Sequence, residues 1–558
     1  MNRKIWKALG IAVCMLALAA PRAMAETHVH TVTADTNFAE VVKTINASKD
    51  EGEHVIELYD DITLTGNYTL TNGKTTTIKG KEGEDRKISI NGSNDPNAGI
   101  TVTGEETVLN LGVNGYDKKL TIEGDTGVAF ITVSGGATAN MYENVTLQNR
   151  QSTGNACVVI MNPNSVFNMH GGEIENCSRA VIADSGATFY MQSGKILNCV
   201  SENNGGGVRL YEATFIMEGG TISGCEGRWG GGLYAEDSST ITITDSTISG
   251  CKAGAGGGLF VNGSALNIKD GTISECFVSD TGKGGGLYAE NNSILTISGG
   301  TIKGNKAAYG GGVALKDSRV KEEEPITSWT VVDNEAYKTD TGSGYIGGGI
   351  YLESGSMDVS NGSNKIYNNT ADGHGADICL TDDTSSIKLP NAANMGAKYL
   401  DSGIYIDGWY NDDNPRYTPS ESGVPVNVDG EEPLKGGLSL VASYKAVPVR
   451  TVTINTNGGK GGSGSQKVQK GTNVILEAPT KEGHLFKGWK DEKGNSYPAG
   501  EDGKVKITVT GDMTLTAEWK KLPSAENLPK TGDESPVLLW GAALAVSAAA
   551  CFVLRRRK

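Results

Sequence analysis

Apolar and polar positions alternate over short runs through the interior of the chain, as in ITITDSTIS from Ile241 to Ser249. A period of two places every second side chain on one face of an extended strand, so these runs predict short strands with one buried face. The alternation itself recurs. Glycine triplets begin at Gly205, Gly230, Gly256, Gly284, Gly310 and Gly347, spaced by 25, 26, 28, 26 and 37 residues. Ahead of each new unit stands a second signature: GEIENC ending at Cys177, GKILNC at Cys199, GTISGC at Cys225, STISGC at Cys251, GTISEC at Cys276, GTIKGN at Asn305, VVDN at Asn334 and KIYNN at Asn369. An aliphatic residue precedes each terminal Cys or Asn by three positions.

A period of 20 to 50 residues indicates stacked repeats. No period here holds the ten or more residues of 3.6 periodicity that a helical repeat requires, and a four-stranded propeller blade needs closer to 40 residues. Two or three short strands per turn of a parallel β-helix remain. In that architecture equivalent residues of successive coils stack about 4.8 Å apart and become columns. The column Ile174, Ile196, Ile222, Ile248, Ile273 and Ile302 is then core, glycine supplies turns with positive φ, and Asn forms a ladder to the backbone of the next coil. About 14 coils give a rod of roughly 65 Å. Near the start, DTNFAEVVKTINAS places Phe38, Val41, Val42 and Ile45 on one stripe of a short helix, an N-terminal cap for the solenoid.

These signatures resemble the right-handed parallel β-helix repeats of the pectin-lyase-like superfamily, over about Glu40 to Asp429. The chain departs from the pattern by placing Cys where Asn is usual in five coils. Beyond Pro448 the repeat stops. The spacing of Asn457-Gly458-Gly459, Phe486, Gly488-Trp489 and Ala517-Glu518-Trp519 resembles the small bacterial repeat domain of internalin-type and other Firmicute surface proteins. That resemblance implies a β-grasp-like module with Phe486, Trp489, Tyr497 and Trp519 in its core.

The ends bear on location. Met1 to Ala25 joins basic Arg3, Lys4 and Lys7 to an apolar run and the small residues Ala23 and Ala25, the pattern of a signal peptide cut after Ala25. At the other end LPKTG, Leu528 to Gly532, precedes an apolar run from Val537 to Leu554 and the basic tail Arg555 to Lys558. A run of about 18 apolar residues spans a bilayer, and the cations hold the tail on the cytoplasmic side. This ending resembles the LPXTG sorting signal of Gram-positive surface proteins. The resemblance implies recognition of Leu528, Pro529, Lys530, Thr531 and Gly532 by a sortase, cleavage after Thr531, and transfer to a peptidoglycan cross-bridge.

The chain thus divides into a signal peptide (1–25), a terminal segment with cap helix (26–48), a parallel β-helix with its C-terminal cap (49–445), a β-grasp-like module (449–521) and a sorting signal with a single transmembrane helix (522–558). The fold class is all-β. Its 77 glycines among 558 residues, with 37% hydrophobic residues, fit a turn-rich β protein. The net charge of −15 becomes −21 once both processed ends are removed, with 42 cations against 63 anions. Such a surface argues against nucleic acid or anionic membrane as partner; the membrane enters only through the transient C-terminal segment.

Candidate chemistry is sparse. The cysteines from Cys177 to Cys276 lack the C-x-x-C clustering of zinc sites and read as a buried, mostly reduced stack, with vertical disulfides and, less readily, a metal ladder as alternatives. His374, in Gly373-His374-Gly375, and Asp382-Asp383 resemble polygalacturonase motifs, but their order is reversed and no RIK triplet follows. WYNDDNPRY, Trp409 to Tyr417, reads either as a sugar-binding face or as a lid over the end of the solenoid. Glu26-Thr27-His28 reads as a disordered terminus, with a copper or nickel site as the sharper alternative. No catalytic, cofactor or metal residue is assigned. The expected role is a non-enzymatic adhesin or surface-interaction module with an extracellular glycan or protein ligand. A surface polysaccharide lyase or hydrolase is the alternative, and a passive spacer the third possibility.

Overall fold

The structure is a computed structural model. It describes residues 26–522 except 51, 72, 94, 126, 151–154, 280, 322–328, 338–344, 360–363, 374, 382–383, 390–403, 412–423, 427–432, 436, 447–448, 471 and 501–502. The signal peptide with Ala23 and Ala25, the LPKTG pentapeptide and the apolar run after it lie outside the described residues. Among the described residues no helix is long and apolar enough to cross a membrane. The chain divides between Lys445 and Ala446 into two compact units.

The first unit is a parallel β-solenoid of about 12 turns with three long sheets. In the coil that begins at the Gly230 triplet, Leu233–Glu236 joins one sheet, Thr240–Ile243 the next and Thr247–Ser249 the third. Lys252–Ala253 then adds a two-residue strand to a fourth, shorter sheet that begins at Glu226–Gly227. The sequence count of 14 coils is too high because the segments at the lower end do not wind further. Leu438–Ala446 pairs antiparallel with Ile378–Leu380, and Leu434–Lys435 antiparallel with Ser385–Lys388.

Alternation within each strand builds the core. The predicted isoleucine column stacks in register from Ile174 to Ile302 and continues through Val331 and Ile366, all buried. On another face Phe167, Phe189 and Phe215 stack with centroids 5.5 and 4.9 Å apart. Full burial of each such side chain contributes roughly 1.5 to 3 kcal/mol, and repetition makes that sum large.

The chain after Ala25 is not a disordered tail. Thr27–Val32 (β1) pairs in parallel with Glu53–Leu58 (β2). The alternation His28, His30, Val32 supplies the reason: Val32 is fully buried in the solenoid core and the two histidines share its face. Phe38–Ala47 forms a helix, α1, with Asn37 as N-cap accepting from the amide of Ala39. Phe38, Val42 and Ile45 are buried, and the Phe38 ring meets Tyr68 edge-on at 4.9 Å.

The second unit is a five-stranded sheet in the order Gly464–Gln469, Val449–Asn455, Met513–Lys521, His484–Asp491, Ser496–Pro498, with the pair Asn473–Glu477 and Lys504–Thr508 beside it. Trp489 is buried among Val452, Ile507 and Leu515, while Phe486, Tyr497 and Trp519 pack on that cluster half-buried. A Cβ on Gly459 would come within 2.5 Å of the Trp519 ring, which accounts for glycine there.

Candidate functional site

The signatures that looked most like chemistry prove to be packing. The first glycine of each triplet turns the chain with positive φ, +62° at Gly230. The third glycine has a different reason. A Cβ on Gly232 would lie 3.3 Å from the Cys251 Sγ, and one on Gly312 would lie 3.0 Å from the Asn334 Nδ2. The carbonyl oxygen of the next coil's third glycine is nearer still, at 2.8 Å for Gly232 and 2.6 Å for Gly312, so the backbone of the next coil and the rung together crowd a side chain in the third position. Triplet and rung, about 20 residues apart in sequence, are two halves of one contact.

Cys and Asn serve the same backbone groups. The Cys251 thiol donates toward the carbonyls of Ser249 at 3.4 Å and Ile222 at 4.0 Å. Asn305 Nδ2 donates to the Ile273 carbonyl at 3.1 Å, while its Oδ1 accepts from the Cys276 amide at 2.9 Å. Asn334 and Asn369 repeat the pattern, and the ladder ends on the buried Asp377 carboxylate, which accepts from Asn369 Nδ2 at 2.9 Å. Cys199, Cys225, Cys251 and Cys276 are free and buried; thiol contacts with Cys199 and Cys251, then burial, push the Cys225 thiol well up. Cys177, the first member of the expected stack, leaves it for a disulfide with Cys157. Register aligns Cys157 with Ala180, Gly207 and Gly232, so the bond joins a third-glycine position to its rung within one coil rather than linking neighbouring coils.

The outer face of the sheet that follows the triplets is unlike the rest. Its outward column runs Val159, Ile182, Arg209, Tyr234, Phe260, Tyr288, Ala314, Tyr351 and Cys379. Before four of the six triplets an apolar residue, Trp229, Ala255, Tyr309 or Ile346, leans over it and forms with it an apolar cluster outside the main core, while Asn204 and Lys283 stand before the other two. Burial raises the phenol of Tyr234 to about 12 and that of Tyr351 to about 12. These tyrosines stay neutral.

At the upper end of this stripe a cavity of about 360 Å³ opens, lined by Arg179, Asn203, Asn204, Arg209, Arg228 and Trp229. Arg179 is 3% exposed; its guanidinium donates to the Gly205 carbonyl and the Ser201 hydroxyl, both at 2.9 Å. Burial, then the charges of Arg209 and Arg150, lower its pKa to about 10. Arg209 pairs with Glu236 at 2.6 Å. Arg228 lies 5.2 Å from the Trp229 ring, itself stacked on Phe260 at 5.7 Å and 39% exposed. Chemically this is a cationic, partly desolvated cavity with an aromatic wall, suited to holding an anion rather than to moving protons.

The residues singled out from the sequence fall elsewhere. His374, Asp382 and Asp383 lie outside the described residues. Trp409 is 3% exposed and joins the solenoid core, which favours the lid over the sugar-binding face for that residue; Asp412 to Tyr417 are outside the described residues. The cavity residues carry no repeated signature, since Arg209, Arg228 and Trp229 occupy positions that change from coil to coil. The available clue was RWG, an arginine and a tryptophan set directly before a triplet in an acidic chain.

Comparison with known families finds a right-handed β-helix region over residues 157–324 and 215–393, a Listeria-Bacteroides repeat domain over 451–518, and an LPXTG cell wall anchor motif over 523–558. Neither the curated proteins nor the solved structures compared with the chain give a match.

Proposed function

We propose a binding role for what is, by its repeat and its anchor motif, a surface protein with a right-handed β-helix, attached covalently to the Gram-positive cell wall. In this reading it is a non-enzymatic adhesin whose ligand docks on the outer face of the sheet that follows the triplets. The cavity of Arg179, Arg209, Arg228 and Trp229 is the observation that carries it. Export by a signal peptide cut after Ala25, sortase cleavage between Thr531 and Gly532, and a transient membrane span over Val537 to Leu554 belong to the same proposal. So does a capping role for α1, whose apolar stripe covers the first coils.

An array of host glycans and matrix proteins, probed with cells that display the anchored chain and with a deletion strain, tests it. Saturable binding that depends on the chain is expected. No binding would leave only a spacer, and new reducing ends or unsaturated products from a polyuronide would replace adhesion with catalysis.

A further inference from the structure

We propose that the cavity of Arg179, Arg209, Arg228 and Trp229 binds a saccharide through one tetrahedral oxyanion ester, a sulfate or a phosphate, with the sugar against the exposed part of the Trp229 indole. This rests on the reading of that face as a docking surface and names what it takes.

Charge is the first argument. The chain carries 65 acidic against 50 basic side chains, and only eight arginines lie between residues 26 and 527. Three of those eight line one cavity. Gathering them is unfavourable: Arg179 is depressed to about 10 by burial and by Arg209 and Arg150. A bound anion offsets that repulsion, and perturbed charges gathered in a concave site are a mark of a functional one.

Partnering is the second. Glu236 neutralises Arg209, but the hydrogen-bond partners of Arg179 are a neutral carbonyl and a neutral hydroxyl, and the charge of Arg228 faces an indole ring. Two guanidinium groups therefore keep charge to share with a ligand.

Geometry then selects the anion. A planar carboxylate is satisfied by one bidentate guanidinium. Guanidinium groups arriving from three coils offer donors on several sides, which matches the three terminal oxygens of a sulfate or phosphate ester. The remaining lining selects the rest of the ligand. The half-exposed Trp229 indole suits the C–H face of a sugar, and the amides of Asn203 and Asn204 suit its hydroxyls. The volume of about 360 Å³ falls within the range of small-ligand sites.

The test uses cells displaying the anchored chain and four fluorescent probes: a heparin-derived hexasaccharide, its fully desulfated counterpart, a hexose-phosphate oligomer and a galacturonate hexamer. Binding of the sulfated or the phosphorylated probe, about tenfold or more tighter than the desulfated and uronate probes, is expected, and whichever binds identifies the source. Arg228→Ala should weaken it about tenfold or more, Trp229→Ala should weaken it as well, and Arg319→Ala, on a different sheet, should leave it unchanged. Equal binding of the uronate and the ester probes, or no effect of Arg228→Ala and Trp229→Ala, overturns the inference. If those variants still adhere to other array ligands, the adhesin reading stands without it; if no probe and no array ligand binds, both fall.

Discussion

Asn305 and Asn334, in adjacent coils, are joined twice: Asn334 Oδ1 accepts from the Asn305 side chain at 2.9 Å and from its backbone amide at 3.0 Å. One side chain thereby satisfies the buried donors of its neighbour, and its own Nδ2 reaches the Ile302 carbonyl at 3.0 Å.

Replacing Asn334 by Ala strands these groups without water. The expected cost is about 2 kcal/mol or more, because each buried polar group left unpaired costs about 1 to 3 kcal/mol. Asn334→Cys should cost less, since four successive coils already carry a thiol there. Urea midpoints followed by circular dichroism will show it, and equal midpoints for Ala and Cys would refute the equivalence of the two rungs.

Gly232 and Gly263 should answer an alanine differently. A Cβ on Gly232 meets the Gly258 carbonyl oxygen at 2.8 Å and the Ile248 Cγ2 at 2.9 Å, whereas one on Gly263 meets only the Asn291 carbonyl oxygen, at 3.6 Å. Gly232→Ala is expected to cost about 1 to 3 kcal/mol through overpacking. At Gly263 the φ of +57° makes Asn the better replacement, near-neutral in thermal melts, because Asn292 holds +63° at the matching turn.

The disulfide gives a thiol count. Cys199, Cys225, Cys251, Cys276 and Cys379 are free and buried, so a thiol reagent should find almost nothing in the native processed chain and five groups after denaturation. Reduction should raise the denatured count to seven and lower stability by about 3 kcal/mol, the entropy of a loop of roughly this length. Cys157→Gly should still fold, because the following coils place Ala180, Gly207 and Gly232 there.

Acid should loosen the N-terminal strand. His54 is buried against His28 and His30, with His30 Nε2 3.1 Å from His54 Nδ1. Burial, then the charge of His28, lowers the pKa of His30; burial, then His30, His28 and Lys74, lowers that of His54, with Asp50 opposing. The unfolded segment thus takes up protons first as pH falls from about 6.5, so stability is full above that value and is lost through the lower, folded pKa. Amide protection factors over Thr27–Val32 should fall between pH 7 and pH 5. Protection that does not change with pH, or a fall that persists in His54→Leu, would contradict this.

The solenoid was legible because its determinants repeat: Gly230, Ile248 and Cys251 say little alone, but each recurs in register and a column has few alternatives. The reason for the third glycine was not legible, since the atoms a Cβ on Gly232 would meet belong to Ile248, Cys251 and Gly258, 16 to 26 positions away. The disulfide was hidden similarly, because Cys157 stands in a triplet position without a triplet. The candidate site was the least visible. Arg179, Arg209, Arg228 and Trp229 come from three coils at non-equivalent positions, and only the folded stack brings them to one cavity. His28, read as part of a loose end, proved to be sheet because Val32 carries β1 into the core.

The strands that close the lower end matter because the last coil of a parallel stack is an edge. A parallel coil ends in an open row of amides and carbonyls, and a second molecule could extend it as if it were the next turn. Here Leu438–Ala446 runs the opposite way along Ile378–Leu380. Ile404–Asn411 and then Val424–Val426 follow on its far side, so the last parallel strand of that sheet is covered by the chain's own antiparallel strands and a neighbour's coil finds no continuing parallel turn to stack on.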